Sequence, residues 1–154
     1  MEKMSREEQV DILYQLLGDE VGDIVIPWLS ENNFFTAPAA KGHHGAYCGG
    51  LFVHSVEVAS QLYRLSERND LVWERRNSPG IVGVLHDVCK LDDYVWIYKD
   101  ELDDDGNLVI DTIKWNENQI MKGHGAKSVK MLEDVIDLTE EEKTCIRYHI
   151  GAFD

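Results

Sequence analysis

His86 and Asp87 close the apolar run Ile81-Val-Gly-Val-Leu-His-Asp-Val-Cys-Lys90. An imidazole and a carboxylate taken out of water each cost desolvation energy unless partnered, and a divalent cation partners both. His54 precedes this pair, and His124 and His149 follow it. Singly, each has an ordinary explanation. His54 reads as a satisfied core histidine, His124 as a helix cap, and His149 as a cation favoured at a helix C-terminus. His43 and His44 read as turn residues. Together, imidazoles and a carboxylate are the donor set of zinc, iron, manganese and nickel sites that do not use cysteine.

Spacing constrains how such a site is built. Adjacent helical residues project about 100° apart, so His86 and Asp87 share an ion only if it lies beside the helix between them. Lys90, four residues after His86 and three after Asp87, flanks the same place. A lysine there repels a bare ion but suits a phosphate held by one. Its plain alternative is a helix C-terminal lysine complementing the dipole.

These residues need elements to position them. Ser5-x-x-Glu8 is a capping-box spacing that opens a helix with Val10, Leu13, Tyr14 and Leu17 on one stripe, ended by Gly18. A second helix is predicted over about 20–30, with Pro27 kinking or dividing it. The glycine-rich stretch 34–50 reads as a loop and lacks the Gly-Lys-Ser/Thr ending of a phosphate-binding loop. A long helix is predicted over 51–68, with His54, Val58, Gln61 and Leu65 on one face and Leu62 beside it. Ser78-Pro79 opens a helix that is apolar nearly all round and is expected at the centre of the core. Tyr94–Tyr98 and Leu108–Ile113 are strand-like runs flanking an Asp/Gly/Asn turn over 103–107. That turn lacks the spacing and terminal glutamate of a calcium loop. Helix returns over about 126–137, and Thr139-x-x-Glu142 opens a last helix through Cys145, Ile146 and His149. The expectation is a mostly α single domain over 1–154, with a small β-hairpin insertion at about 94–115.

Composition narrows the function classes. The 44% hydrophobic content fits a globular chain, and no run is long enough to span a bilayer. Cys48, Cys89 and Cys145 are odd in number and form no Cys-x-x-Cys pair, which argues against a disulfide framework and a thiolate zinc site. No membrane association and a cytoplasmic location are expected. Fifteen basic against 29 acidic residues give a net charge of −14, which disfavours long nucleic acid as a partner but allows a small nucleotide held by a metal. The densest basic cluster, Arg64, Arg68, Arg75 and Arg76, is interleaved with Glu67, Asp70 and Glu74. Oligomeric state stays open, although Trp73, Trp96 and Trp115 offer apolar surface to a partner.

His86-Asp87-x-x-Lys90, preceded by Gly49-Gly-Leu-Phe-Val-His54-Ser, resembles the HD-domain metal-dependent phosphohydrolase superfamily. The segment 39–55 is similar to the start of the first ligand helix in the branch that includes HD-type 3′–5′ exoribonucleases. Gly123-His124-Gly-Ala-Lys-Ser and Ile146-Arg-Tyr-His149-Ile-Gly resemble the later histidine motifs of phage and Firmicutes members. The resemblance implies an HD-domain helical bundle around one or two divalent ions (Mn, Fe, Co, Ni, Zn or Mg). It also implies hydrolysis of phosphate esters or anhydrides of small nucleotides. It places His54, His86 and Asp87 on a first ion, with Asp87 bridging to a second held by His124 and His149. Asp87 and Lys90 take catalytic roles, and Lys90, His43 and His44 hold the substrate phosphate. Family members close the metal site with an aspartate well after the last histidine, whereas this chain ends at Asp154. The expectation is therefore a short or truncated member, or a substitute carboxylate among Asp154, Asp134 and Asp137. Two alternatives remain: a 3′–5′ exonuclease or cyclic-nucleotide phosphodiesterase, and a non-catalytic module binding metal and nucleotide.

Overall fold

The computed structural model describes residues 4–42, 45–104, 106 and 108–151. His43, His44, Asp105, Asn107 and Asp154, all invoked above, lie outside these described residues. In chain order the elements are α1 (Arg6–Leu17), α2 (Asp19–Glu31), α3 (Gly50–Arg68), α4 (Ser78–Leu85) and α5 (Lys90–Asp93). Strands β1 (Tyr94–Leu102) and β2 (Leu108–Trp115) follow, then α6 (Gly125–Leu132) and α7 (Glu140–Arg147).

The expectation of a mostly α HD-domain bundle is corrected. Among the described residues 50% are helical, and a two-stranded antiparallel sheet joins them, which makes a mixture of helix and sheet rather than an all-helical bundle. The physical reason lies partly in the hairpin. Its β-branched and aromatic residues build strands of nine and eight residues, paired from Tyr94↔Trp115 to Leu102↔Leu108. It lies also in helices that stop sooner than their apolar patterns. The helix expected over 126–137 ends at Leu132, and α4 ends at Leu85, so His86 to Cys89 form tight turns rather than another helical turn.

Local signals set the ends of the first and last helices. Ser5 accepts from the Glu8 amide while Glu8 reaches back to the Ser5 amide, and Thr139 and Glu142 repeat the device at α7. Gly18 ends α1 at φ 81°, a conformation a side chain would resist. Pro27 sits inside α2. Every residue of α4 is buried, because it lies between α3, α1 and α7. Leu13, Leu17, Leu29, Phe34, Phe52, Leu85, Leu132 and Ile146 form the core around it. The face assigned to α3 is also corrected. Leu51, Phe52, Ser55 and Ala59 are buried, whereas Leu65 is exposed, which leaves His54 at the boundary between core and solvent. None of the helices is long and apolar enough to cross a membrane among the described residues.

Candidate metal centre

Two helix crossings bring the histidines together, and a glycine sits at each. Gly83 of α4 lies against Ala59 of α3 so closely that a Cβ there would run into the Ala59 backbone. Gly125 of α6 lies against the carbonyls of Ile146 and Arg147 at the end of α7 in the same way. The first contact carries His54 towards His86; the second carries His124 towards His149.

All four rings converge on one carboxylate. His54 Nε2 and His86 Nε2 stand 3.1 and 3.2 Å from Asp87 Oδ2. His124 Nε2 and His149 Nε2 stand 2.8 and 3.2 Å from Asp87 Oδ1. Asp87 is buried, and burial pushes its carboxyl upward. Hydrogen bonds from His124, His149, His54 and His86 outweigh burial and hold it far below the usual carboxylate range. These four imidazoles favour the anionic form of Asp87.

The turns after α4 make this possible for neighbouring residues. Amides of Val88, Lys90 and Leu91 bond to carbonyls three residues back, so the backbone tightens where His86 and Asp87 leave it. Both side chains then reach the same point, their nearest polar atoms 3.2 Å apart.

Second bonds orient the rings. His86 Nδ1 lies 2.7 Å from the Gly83 carbonyl and His149 Nδ1 lies 2.7 Å from the Ile146 carbonyl. A carbonyl only accepts, so each Nδ1 carries hydrogen and a neutral ring presents the lone pair of Nε2. As neutral rings of that tautomer, these two would aim lone pairs at the Asp87 oxygens, acceptor against acceptor, and they donate to Asp87 only when Nε2 carries hydrogen as well. Protonating every ring would relieve the clash by gathering several like charges beside Lys90. A divalent cation relieves it with a single charge centre. Donor spacing agrees, since two donors about 2.0–2.1 Å from one ion lie about 3 Å apart at a right angle. His54 Nε2 and His86 Nε2 are 3.2 Å apart.

Among the described residues two groups are close enough to hold an ion: His54, His86 and Asp87, and Asp87, Cys89 and His124. On the Oδ1 side His149 is a better third donor than Cys89. Burial pushes the Cys89 thiol up to about 12, and its sulfur meets His124 Nδ1 at 3.5 Å, the ring nitrogen turned away from Asp87. Cys89 therefore supports His124 from behind. Its place two residues after Asp87 was the available sequence signal, but the cysteine count led away from it.

Lys90 Nζ stands 3.8 Å from Asp87 Oδ2 and donates to the Ala39 carbonyl. It also lines a cleft of about 390 Å³ with His54 and residues of the 39–47 loop. Asp134 and Asp137 are exposed and belong to neither ion-holding group among the described residues, which corrects their candidacy as substitute ligands.

Buried charges hold the Oδ1 side in place. Lys127, fully buried, stands 2.6 Å from both Asp92 Oδ2 and Asp93 Oδ1 and donates to Gln119 Oε1 at 3.0 Å. Glu142, also fully buried, accepts from Arg75 Nη2 at 2.5 Å and Nε at 3.1 Å, and from Ser78 Oγ at 2.7 Å. Sequence reading left both networks unseen, because a buried lysine and a solvated one look alike in a chain. Compared with known proteins, the chain matches no family model, no curated protein and no solved structure.

Proposed function

We propose that the protein is a metal-dependent phosphohydrolase acting on phosphate esters or anhydrides of small nucleotides. The observation that carries this reading is a buried carboxylate, Asp87, each of whose oxygens faces two imidazole Nε2 atoms, with a lysine at its side. His54, His86 and Asp87 would hold one divalent ion, and His124 and His149 with the other Asp87 oxygen a second. When bound, such ions lower the pKa of a coordinated water towards about 7 and polarise the phosphoryl oxygen.

The chain's own groups supply the rest. Lys90 projects from beside the ion pocket into the cleft, where its ammonium binds and orients a phosphate. His54 has the most exposed side chain of the four histidines, 41% against 7% for His86, so the open side of the centre is the cleft side. The carbonyls of Gly83 and Ile146 fix the tautomers of His86 and His149 before any ligand arrives. The resemblance to HD-type phosphohydrolases supports this reading through these residues and their chemistry, independently of the fold.

The test is phosphate release from nucleoside mono-, di- and triphosphates with Mn²⁺, Co²⁺, Fe²⁺ or Mg²⁺ supplied in turn. Release that requires metal and vanishes in Asp87→Ala supports the proposal. Undiminished release by that variant, or none from wild-type protein with metal bound, defeats it. The second result would favour a binding module.

A further inference from the structure

The four rings around Asp87 are not equivalent at their other nitrogen. His86 Nδ1 and His149 Nδ1 meet backbone carbonyls, which only accept. His124 Nδ1 meets the Cys89 thiol at 3.5 Å, a group that both donates and accepts. The fold holds that sulfur in place. Cys89 is fully buried, its amide donates to Ser128 Oγ at 3.1 Å, and the Ser128 amide donates to the His124 carbonyl at 3.0 Å. Burial pushes the thiol up to about 12, so the sulfur keeps its hydrogen. The contact from His124 Nε2 to Asp87 is also the shortest of the four, 2.8 Å against 3.1, 3.2 and 3.2 Å. That length is usual for an N–H donating to a charged oxygen.

We infer that Cys89 is a positioning residue: before an ion binds, its thiol keeps the hydrogen of His124 on Nε2, so the Oδ1 side of Asp87 takes a divalent ion less readily than the Oδ2 side. This rests on the divalent-ion reading of the centre and not on hydrolysis. With S–H donating to Nδ1, that nitrogen carries the lone pair, and the one hydrogen of a neutral ring sits on Nε2, where it donates to Asp87 Oδ1. The opposite tautomer would set the Nε2 lone pair against an ionised carboxylate. An ion on the Oδ1 side needs that lone pair. The ring must then pass its Nε2 hydrogen to water and take one from water at Nδ1, while the thiol turns from donor to acceptor. No proton is gained or lost overall, but a good hydrogen bond gives way to one accepted by sulfur, a weak acceptor. On the Oδ2 side His86 needs no such exchange, because the Gly83 carbonyl already holds its hydrogen on Nδ1.

Long-range ¹H–¹⁵N spectra of metal-free protein, recorded at a pH above the ordinary imidazole range, read the tautomer of each ring. His124 is expected as the Nε2–H form and His86 as the Nδ1–H form. Calorimetric titration with Mn²⁺ should resolve a tighter and a weaker ion in wild-type protein. Cys89→Ala should tighten the weaker ion by about 2- to 10-fold, the worth of one neutral hydrogen bond, and leave the tighter one unchanged. His124 found as the Nδ1–H form in wild-type protein overturns the inference, even if that protein releases phosphate, and needs no variant to fold. Two ions of equal affinity, one ion in both wild type and Cys89→Ala, or no Mn²⁺ binding overturn it too. So does a thiolate-to-cobalt charge-transfer band in Co²⁺-loaded wild type that Cys89→Ala lacks, since Cys89 would then be a ligand. The expected tautomers and affinities without phosphate release uphold it and defeat the hydrolase reading.

Discussion

On the Oδ2 side of Asp87 the histidines come from α3 and the turn after α4, elements that meet where Gly83 lies against Ala59. On the Oδ1 side they come from the ends of α6 and α7, two eight-residue helices. α7 buries Ile146 and Glu142, and α6 buries Lys127 together with Val129 and Leu132. One half of the centre is held by apolar packing, which is indifferent to pH and short of range. The other half adds to its apolar contacts two networks of buried ions, whose net contribution depends on every partner being present. The comparison teaches that one site can be assembled by two kinds of force, with different weaknesses.

The largest effect is expected where both halves meet. Asp87→Ala should reduce metal-dependent phosphate release by at least about a thousandfold, as when one essential catalytic group is removed. It should also abolish the rise in Tm that Mn²⁺ gives wild-type protein, since stabilisation by a ligand requires affinity for the folded state. A retained Tm shift would show that the histidine pairs bind ions without their shared carboxylate.

Lys127→Met breaks the ion-held half alone. Removing one partner strands Asp92 and Asp93, and losses of about 3–5 kcal/mol are usual for such breaks. Chemical denaturation would read that loss. Elemental analysis should show the variant holding less metal per chain than wild type, with the His54–His86 side retained. Asp93→Asn in the same chain should recover part of the stability.

Gly83→Ala breaks the packed half. The added methyl meets the Ala59 backbone, which no rotamer change can clear, so α3 must move away from α4. Overpacking of this kind costs about 1–3 kcal/mol. Metal should be lost from the His54–His86 side while the His124–His149 side keeps its own. Loss of metal from both sides in either variant would collapse the distinction between the halves.

The smallest effects are in pH. Burial pushes the Glu142 carboxyl up, but hydrogen bonds from Arg75 and Ser78 bring it below its ordinary value. Its contribution is therefore complete above the unfolded value of about 4.3 and is lost as pH falls through the folded value. Burial pushes the Lys127 ammonium down, but Asp92 and Asp93 lift it above its ordinary value. That contribution is complete below the unfolded value of about 10.4 and is lost as pH rises through the folded one. Thermal unfolding between pH 3 and 5 should therefore be less pH-dependent in Glu142→Gln than in wild type. An identical slope would remove the carboxylate from the account of the second half.

Much of the local structure is legible in the chain. Ser5 with Glu8 and Thr139 with Glu142 announce helix starts, and both capping boxes form, because each depends on atoms three residues apart. The strand runs before and after residues 103–107 are equally local. The extent of helix was harder to read. The apolar pattern continues past Leu85 and Leu132, but the backbone turns there, and periodicity carries no signal for such a stop. The solvent-facing side of α3 was misjudged for a related reason: Leu65 fits an apolar stripe, yet it is half exposed.

The amino-acid sequence by itself determined which groups were available to the site: four imidazoles, one acidic neighbour of His86, and a lysine one turn on. Residue type and short spacing suffice for that, since they are properties of the chain before it folds. Only the tertiary structure decided that His54, His86, His124 and His149 divide in pairs between the two oxygens of Asp87. It alone placed Cys89 behind His124. It alone buried Lys127 and Glu142 as the anchors of α6 and α7. Those outcomes depend on how closely helices cross, which Gly83 and Gly125 permit and packing enforces, and close approach between distant segments leaves no mark in local sequence.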